Sequence, residues 1–191
     1  QVLRRLVVQL DGQRKSNPGL FGPELVQAVD THMALFPQSD VVEKMRSGWL
    51  AASTSDDAKI QRLALWIKTQ KDPALVRSYR QERAALGAKL KNNVVIREEA
   101  RELALSSNEA EAREWSYVEG KAALDMGEDT YALGVFQKLA LKTESPDKWA
   151  VQSQHLSLDI LNKQKRYQDL ATQAALWTSV ASLQNSAFKA D

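Results

Sequence analysis

Cysteine is absent from this chain, and glycine and proline are sparse, with 8 and 5 residues among 191. Without cysteine there is no disulfide, no thiolate metal site and no cysteine nucleophile. Long hydrophobic runs are lacking too, because Arg4, Arg5 and Lys68 interrupt the most apolar segments. No run approaches the roughly 18 residues that cross a bilayer. The sequence therefore predicts a protein without a membrane span.

Groups for catalysis are also scarce. The chain has two histidines, His32 and His155, as side chains that titrate near neutral pH. His32 continues the apolar face of a predicted helix, which is typical of a buried structural histidine. The sequence contains no H-E-x-x-H motif, no G-x-S-x-G motif and no glycine-rich phosphate loop. We therefore expect no enzymatic activity, no metal and no cofactor.

Helix start signals recur along the chain at intervals of about 15 to 20 residues. Ser55 precedes two aspartates, and Asp72 precedes a proline at the first helical position. Asn108 with Glu111, and Ser145–Pro146, repeat such capping patterns. Strand signals are almost lacking. These patterns predict an all-α protein of about eight to ten helices joined by short turns.

One segment carries a repeat motif. Small residues that allow close helix contact, and larger ones that fill the space between two helices, recur at fixed spacing in residues 113–146. This segment resembles the tetratricopeptide repeat, a 34-residue helix–turn–helix unit. The matching residues are Gly120, Gly127, Ala132, Phe136 and Leu139, which take the eighth, fifteenth, twentieth, twenty-fourth and twenty-seventh positions of the motif. Trp115 lies one place early, and Pro146 lies two residues late.

Residues 151–184 match the motif in outline if Tyr167 takes its seventeenth position, although Leu158 replaces the small residue at the eighth. The resemblance implies antiparallel helix pairs stacked as a right-handed α-solenoid. We expect one domain over residues 1–191, with irregular helical pairs in 23–107 and tetratricopeptide-like repeats in 108–184. Because Gln1 opens the chain without a methionine, we also expect a piece of a longer protein.

In tetratricopeptide proteins the first helix of each repeat lines a concave surface whose outward residues hold the partner. The resemblance therefore implies a partner-binding surface that this chain would build from six polar or aromatic positions. These are Glu114, Tyr117, Lys121, Gln152, His155 and Asp159. The alternative interpretation of the same positions is a solvated helix face. The five tryptophans, by contrast, fit core packing between helices better than a ligand cage.

Charge is distributed unevenly: residues 59–97 carry a net charge of +8, and residues 98–130 carry −7. A basic segment of this kind suits an acidic partner such as nucleic acid. However, Arg77, Arg80 and Arg83 spread round their helix, and Tyr79 is the only aromatic residue between 70 and 100. Nucleic-acid binding is therefore disfavoured.

Taken together, these features predict a non-enzymatic scaffold or assembly factor that binds another protein or peptide. Two alternatives stay open: the superhelical, non-catalytic region of a larger enzyme such as a bacterial cell-wall hydrolase, and an RNA-binding helical repeat. Residues 187–191 end the chain without a clear cap, so a homodimer through the terminal helix is a further prediction. The composition fits a bacterial protein of the cytoplasm or the periplasm, and we favour the periplasm.

Overall fold

A computed structural model describes residues 1–17, 22–36, 39–41, 48–50, 53, 55–141 and 146–179. Every regular element in these ranges is helical, which confirms the prediction of an all-α protein. The nine helices with defined bounds are α1 (Val2–Ser16), α2 (Gly22–Leu35), α3 (Asp56–Thr69), α4 (Pro73–Leu90), α5 (Asn93–Leu105), α6 (Glu109–Asp125), α7 (Asp129–Ala140), α8 (Lys148–Lys163) and α9 (Tyr167–Ser179). Residues 40–41 and 48–50 are helical as well.

The chain divides into two compact units, Gln1–Leu86 and Gly87–Asp191, and the boundary falls within α4. The core of the first unit is built round an aromatic stack. Trp49 and Trp66 lie parallel with ring centroids 4.1 Å apart, and Tyr79 tilts against Trp66 at 5.3 Å. All three rings are buried. Their burial confirms that these two tryptophans serve core packing.

Helices of the second unit pack in chain order. Each of α5 to α9 contacts the next, and α6 also contacts α8, which lies two helices further along the chain. The core between them contains Phe136, Leu139, Ile160 and Leu161. Phe136 approaches Gly120 so closely that a Cβ there would lie 2.6 Å from its Cε1 atom. The predicted close contact at Gly120 is therefore present, and Ala132 is fully buried beside it.

The same turn ends three helices of this region. Lys91, Gly127 and Lys165 have positive φ angles of 54°, 78° and 57°. After each helix the residue that follows donates its amide to a carbonyl five residues back, as Glu128 does to Ala123 at 3.0 Å. This is the Schellman pattern of helix termination. Gly127 thus ends α6 as its place in the repeat predicts, and lysine adopts the same conformation at the two other turns.

Most predicted caps form. The side chains of Ser55, Asp72 and Asn108 accept hydrogen bonds from backbone amides in the first turns of α3, α4 and α6. The Ser145–Pro146 prediction is wrong in its register, because α8 begins at Lys148 and its cap is Asp147. Ser145 itself lies outside the described residues. The Asp147 carboxylate accepts a hydrogen bond from the backbone amide of Ala150, and this cap sets the start of the helix after Asp147.

The predicted structural role of His32 agrees with its surroundings. The side chain is buried, and its Nε2 atom lies 3.0 Å from the Ser39 hydroxyl. Burial, followed by the nearby positive charges of the N-terminus and Arg4, lowers the pKa of His32 below its usual value. The imidazole is therefore held in its neutral form.

Candidate functional site

The contact between α6 and α8 creates a surface to which two helices contribute. Its centre is an aromatic pair: the rings of Tyr117 on α6 and Trp149 on α8 lie 5.0 Å apart. Tyr117 also tilts against Phe136 of α7 at 5.8 Å. We call this surface the α6–α8 face and define it by Glu114, Tyr117 and Lys121 on α6 and by Trp149, Gln152, His155 and Asp159 on α8.

The six predicted binding residues differ in exposure. Glu114, Gln152 and Asp159 are exposed, whereas Tyr117, Lys121 and His155 are half-buried. Burial raises the pKa of the Tyr117 hydroxyl above its usual value. Tyr117 therefore presents part of its ring to solvent and uses the rest to join the core.

The helical rise separates the residues along α8. His155 and Asp159 lie about 9 and 15 Å beyond Trp149 along the helix axis, since each residue advances 1.5 Å. Gln152, one turn from Trp149, is on the same side as the aromatic pair. The structure thus brings Tyr117 next to the start of α8, while His155 lies at the middle of that helix and Asp159 lies toward its other end.

Two residues of this face were missed from the sequence. Trp149 was assigned to the core, but it is half-buried and forms one side of the aromatic pair. Lys148 places its Nζ atom 4.2 Å from the centroid of the Trp149 ring, a cation–π contact. The spacing of Trp149, three residues before Gln152, was the signal that could have placed it on the predicted surface.

A partly buried ion pair lies beside this face. The Arg113 guanidinium of α6 donates to both carboxylate oxygens of Asp147, the Nη2–Oδ1 distance being 3.0 Å. Its Nη2 also donates to the carbonyl of Leu139 near the end of α7. Only 12% of the Arg113 side chain is exposed. One side chain therefore connects α6, the end of α7 and the cap of α8.

A concave region lies on another side of α6. It encloses about 580 Å³ between α5, α6 and α7. We call it the α5–α7 groove, and the residues that line it are Arg101, Ala104, Leu105, Ser116, Glu119, Thr130, Tyr131, Gly134, Val135, Lys138 and Leu139. Sequence patterns do not reveal this groove, because it depends on which helices become neighbours.

Hydrogen bonding organises the wall of the α5–α7 groove. The Tyr131 hydroxyl donates to the buried carboxylate of Glu119, and this bond is the main reason why the pKa of Tyr131 is raised. The guanidinium of Arg97 lies 5.7 Å from the Tyr131 ring centroid and pairs with Glu128. The two acids at this wall, Glu119 and Glu128, are therefore bound by Tyr131 and Arg97.

Comparison with known proteins adds no family: no family model, no curated protein and no solved structure matches this chain. None of the described helices combines the length and apolar character needed to cross a bilayer. Within the described ranges, no group of three or more acidic or histidine side chains is arranged to hold a metal ion.

Proposed function

We propose that this chain is a non-enzymatic interaction module of the tetratricopeptide type, which binds a protein or peptide through the α6–α8 face. The turns at Lys91, Gly127 and Lys165 recur at intervals of 36 and 38 residues, slightly longer than the roughly 34 residues of such repeats. The contact between Gly120 and Phe136 has the chemistry that the motif requires. Both observations support the repeat interpretation, with antiparallel pairs in a right-handed solenoid as its expected geometry.

The observation that carries the binding proposal is the contact between Tyr117 and Trp149. Aromatic side chains dominate the energetics of protein interfaces because they offer large, rigid apolar surfaces. Here two of them, each half-buried, meet across two helices that are not consecutive in the chain. Exposed polar residues lie one helical turn from each ring, Glu114 three residues before Tyr117 and Gln152 three residues after Trp149. An apolar centre with a polar rim is the usual anatomy of a binding surface.

The arrangement also provides preorganisation. Because Arg113 and Asp147 connect the start of α6 with the start of α8, the aromatic pair needs little rearrangement to receive a partner. A surface that is ordered before binding loses less conformational entropy on association. The ordered surface therefore supports binding of a partner over the alternative of a helix face that only contacts solvent.

The decisive experiment compares capture of partners by two sets of surface variants. The purified chain is immobilised, host proteins are captured, and the bound proteins are quantified by mass spectrometry and then tested singly by calorimetry. The combined Glu114→Lys and Gln152→Lys variant should bind the specific partner at least about tenfold more weakly, a loss of about 1.4 kcal/mol in binding free energy. The melting temperature should stay unchanged, because both side chains are exposed.

The matched control is Gln168→Lys on α9, which changes charge at another exposed position of the same unit. It should bind the partner as the wild type does. If the rim variant keeps full affinity for every captured protein while the control behaves as expected, the α6–α8 face is not the binding surface.

A further inference from the structure

The α5–α7 groove has a floor of apolar and small side chains. Leu105 of α5 is 77% exposed there, a large exposure for a leucine. Val135 and Leu139 of α7 continue the apolar surface, and the small Ser116 and Gly134 leave room above it. Burying exposed apolar area is favourable by about 25 cal/mol per Å². This floor is suited to an apolar side chain of a ligand.

Two cations border the same groove. Arg101 of α5 and Lys138 of α7 are both exposed, and neither forms an ion pair with the described residues. The one acid that lines the groove, Glu119, is buried and accepts the Tyr131 hydroxyl. Among the described residues that line the groove, two carry a positive charge, and the one acid already accepts a hydrogen bond.

We propose that the α5–α7 groove binds an acidic peptide segment of a partner protein. Its carboxylates would pair with Arg101 and Lys138, and an apolar side chain between them would rest on Leu105 and Val135. Along α7 the groove runs at least from Tyr131 to Lys138, seven residues or about 10 Å of helix axis. That length accommodates about three extended residues at roughly 3.3–3.6 Å each.

The apolar floor selects this ligand class over nucleic acid. Single-stranded nucleic acid is usually held by aromatic rings on which its bases stack. The groove offers the single ring of Tyr131, which the Glu119 bond and the Arg97 guanidinium already hold. Leucine and valine side chains match an aliphatic residue of a peptide better than a nucleotide base.

The site is independent of the α6–α8 face. Ser116 and Glu119 face the groove, whereas Glu114, Tyr117 and Lys121 lie about 160° away round the α6 axis at 3.6 residues per turn. Both surfaces are available at the same time. Binding in the groove therefore extends the proposed function to a second ligand and does not depend on the first.

The experiment measures fluorescence anisotropy of a short labelled peptide of alternating glutamate and leucine. A peptide of alternating glutamine and leucine is the uncharged control ligand. The wild type should bind the acidic peptide saturably, and binding should weaken between about 50 and 300 mM salt because exposed ion pairs are screened. The combined Arg101→Glu and Lys138→Glu variant should bind at least about tenfold more weakly. Lys71→Glu, an exposed charge reversal in the first unit, should bind like the wild type.

A second readout locates the peptide. Since the chain has no cysteine, Thr130→Cys at the groove and Gln152→Cys on the α6–α8 face each give one labelling site for an environment-sensitive dye. The dye at position 130 should respond to the acidic peptide, and the dye at 152 should not. The proposal is overturned if the acidic peptide fails to saturate by about 1 mM. It is also overturned if the glutamine peptide binds as tightly as the acidic peptide, or if the double charge reversal leaves binding unchanged. Displacement of the acidic peptide by single-stranded DNA at a lower concentration than by unlabelled acidic peptide would overturn it too.

Discussion

The Phe136 ring occupies the space that any side chain at position 120 would need. Its Cε1, Cζ and Cδ1 atoms would all lie within 3.1 Å of a Cβ atom on Gly120. Phe136 is fully buried and also contacts Tyr117, so it has no open space into which it can turn. The α6–α7 contact therefore depends on glycine at this position.

Replacement of Gly120 by leucine should lower the free energy of unfolding by about 1–3 kcal/mol, because the new side chain overpacks the contact with Phe136. Urea denaturation followed by circular dichroism measures this loss. The control is Gly134→Ala on α7, where an added Cβ meets no atom within 4 Å. That change should stabilise by about 0.5–1 kcal/mol, since alanine favours helix over glycine. If Gly120→Leu is as stable as the wild type, the packing described here is incorrect.

The Arg113–Asp147 pair should show strong energetic coupling. Asp147→Ala removes a helix cap and leaves a largely buried guanidinium without its carboxylate, a loss of about 2–3 kcal/mol. Asp147→Asn should be milder, because asparagine still caps α8. A double-mutant cycle with Arg113→Ala should give a coupling energy of about 1 kcal/mol or more.

The exposed Arg166–Asp169 pair, within the same unit, is the reference for this cycle. Its two side chains are 45% and 51% exposed, so the coupling should stay below about 0.5 kcal/mol. Equal coupling in both cycles would show that the Arg113 bonds do not organise the three helices.

In the first unit, Asp30 accepts a hydrogen bond from the indole of the buried Trp49 at 2.9 Å. Replacement of Asp30 by leucine should cost about 1–3 kcal/mol, because the indole N–H then stays buried without an acceptor. Asp30→Asn retains an acceptor and should cost less. Urea unfolding monitored by tryptophan fluorescence distinguishes the two variants, and equal losses would contradict this role of the hydrogen bond.

The pH dependence of Asp30 has a definite sign. Burial raises its pKa above the ordinary value of 3.8, against the lowering effects of the Trp49 bond and the Arg62 charge. A raised pKa favours the protonated carboxyl in the folded state, so the contribution of Asp30 is present in full below pH 3.8 and is lost as pH rises through the folded-state pKa. The wild type should therefore gain stability relative to Asp30→Asn as the pH falls.

Tyr131 should affect stability in the alkaline range. Its hydrogen bond to Glu119, then burial and the Glu119 charge, raise its pKa above 10.0. The stabilisation is present below pH 10 and is lost as pH rises through the folded-state pKa. Tyr131→Phe should cost about 1–2 kcal/mol at pH 7. The difference from the wild type should vanish at high pH, and a difference that persists unchanged there would contradict the bond.

Local signals predicted the helices well because they act within one turn. Ser55 and Asn108 cap amides three residues away, and Gly127 terminates its own helix. The cap at Asp147 was missed because proline beside a serine gave an equally good local pattern. Its partner, Arg113, lies 34 residues earlier, at a distance that capping patterns do not encode.

The candidate surfaces show the same division. The resemblance to the tetratricopeptide repeat placed Tyr117 on the predicted surface, and helical periodicity puts Glu114 and Lys121 on the same side of α6. The pairing of Tyr117 with Trp149 depends on the contact of α6 with α8, and the α5–α7 groove depends on three particular helices being neighbours. Small residues such as Ser116 and Gly134 create the groove because they leave space between the helices unfilled. A sequence pattern records the residues present and carries little sign of the space between them.

Packing in chain order has a kinetic consequence for the second unit. Each helix from α5 to α9 finds its main neighbours close by in sequence, so little loop-closure entropy is lost before favourable contacts form. Chains dominated by local contacts reach the native state in microseconds to milliseconds. Tension applied to the ends of such a unit would detach helices successively from the termini, and a recording of force against extension would show a series of small steps.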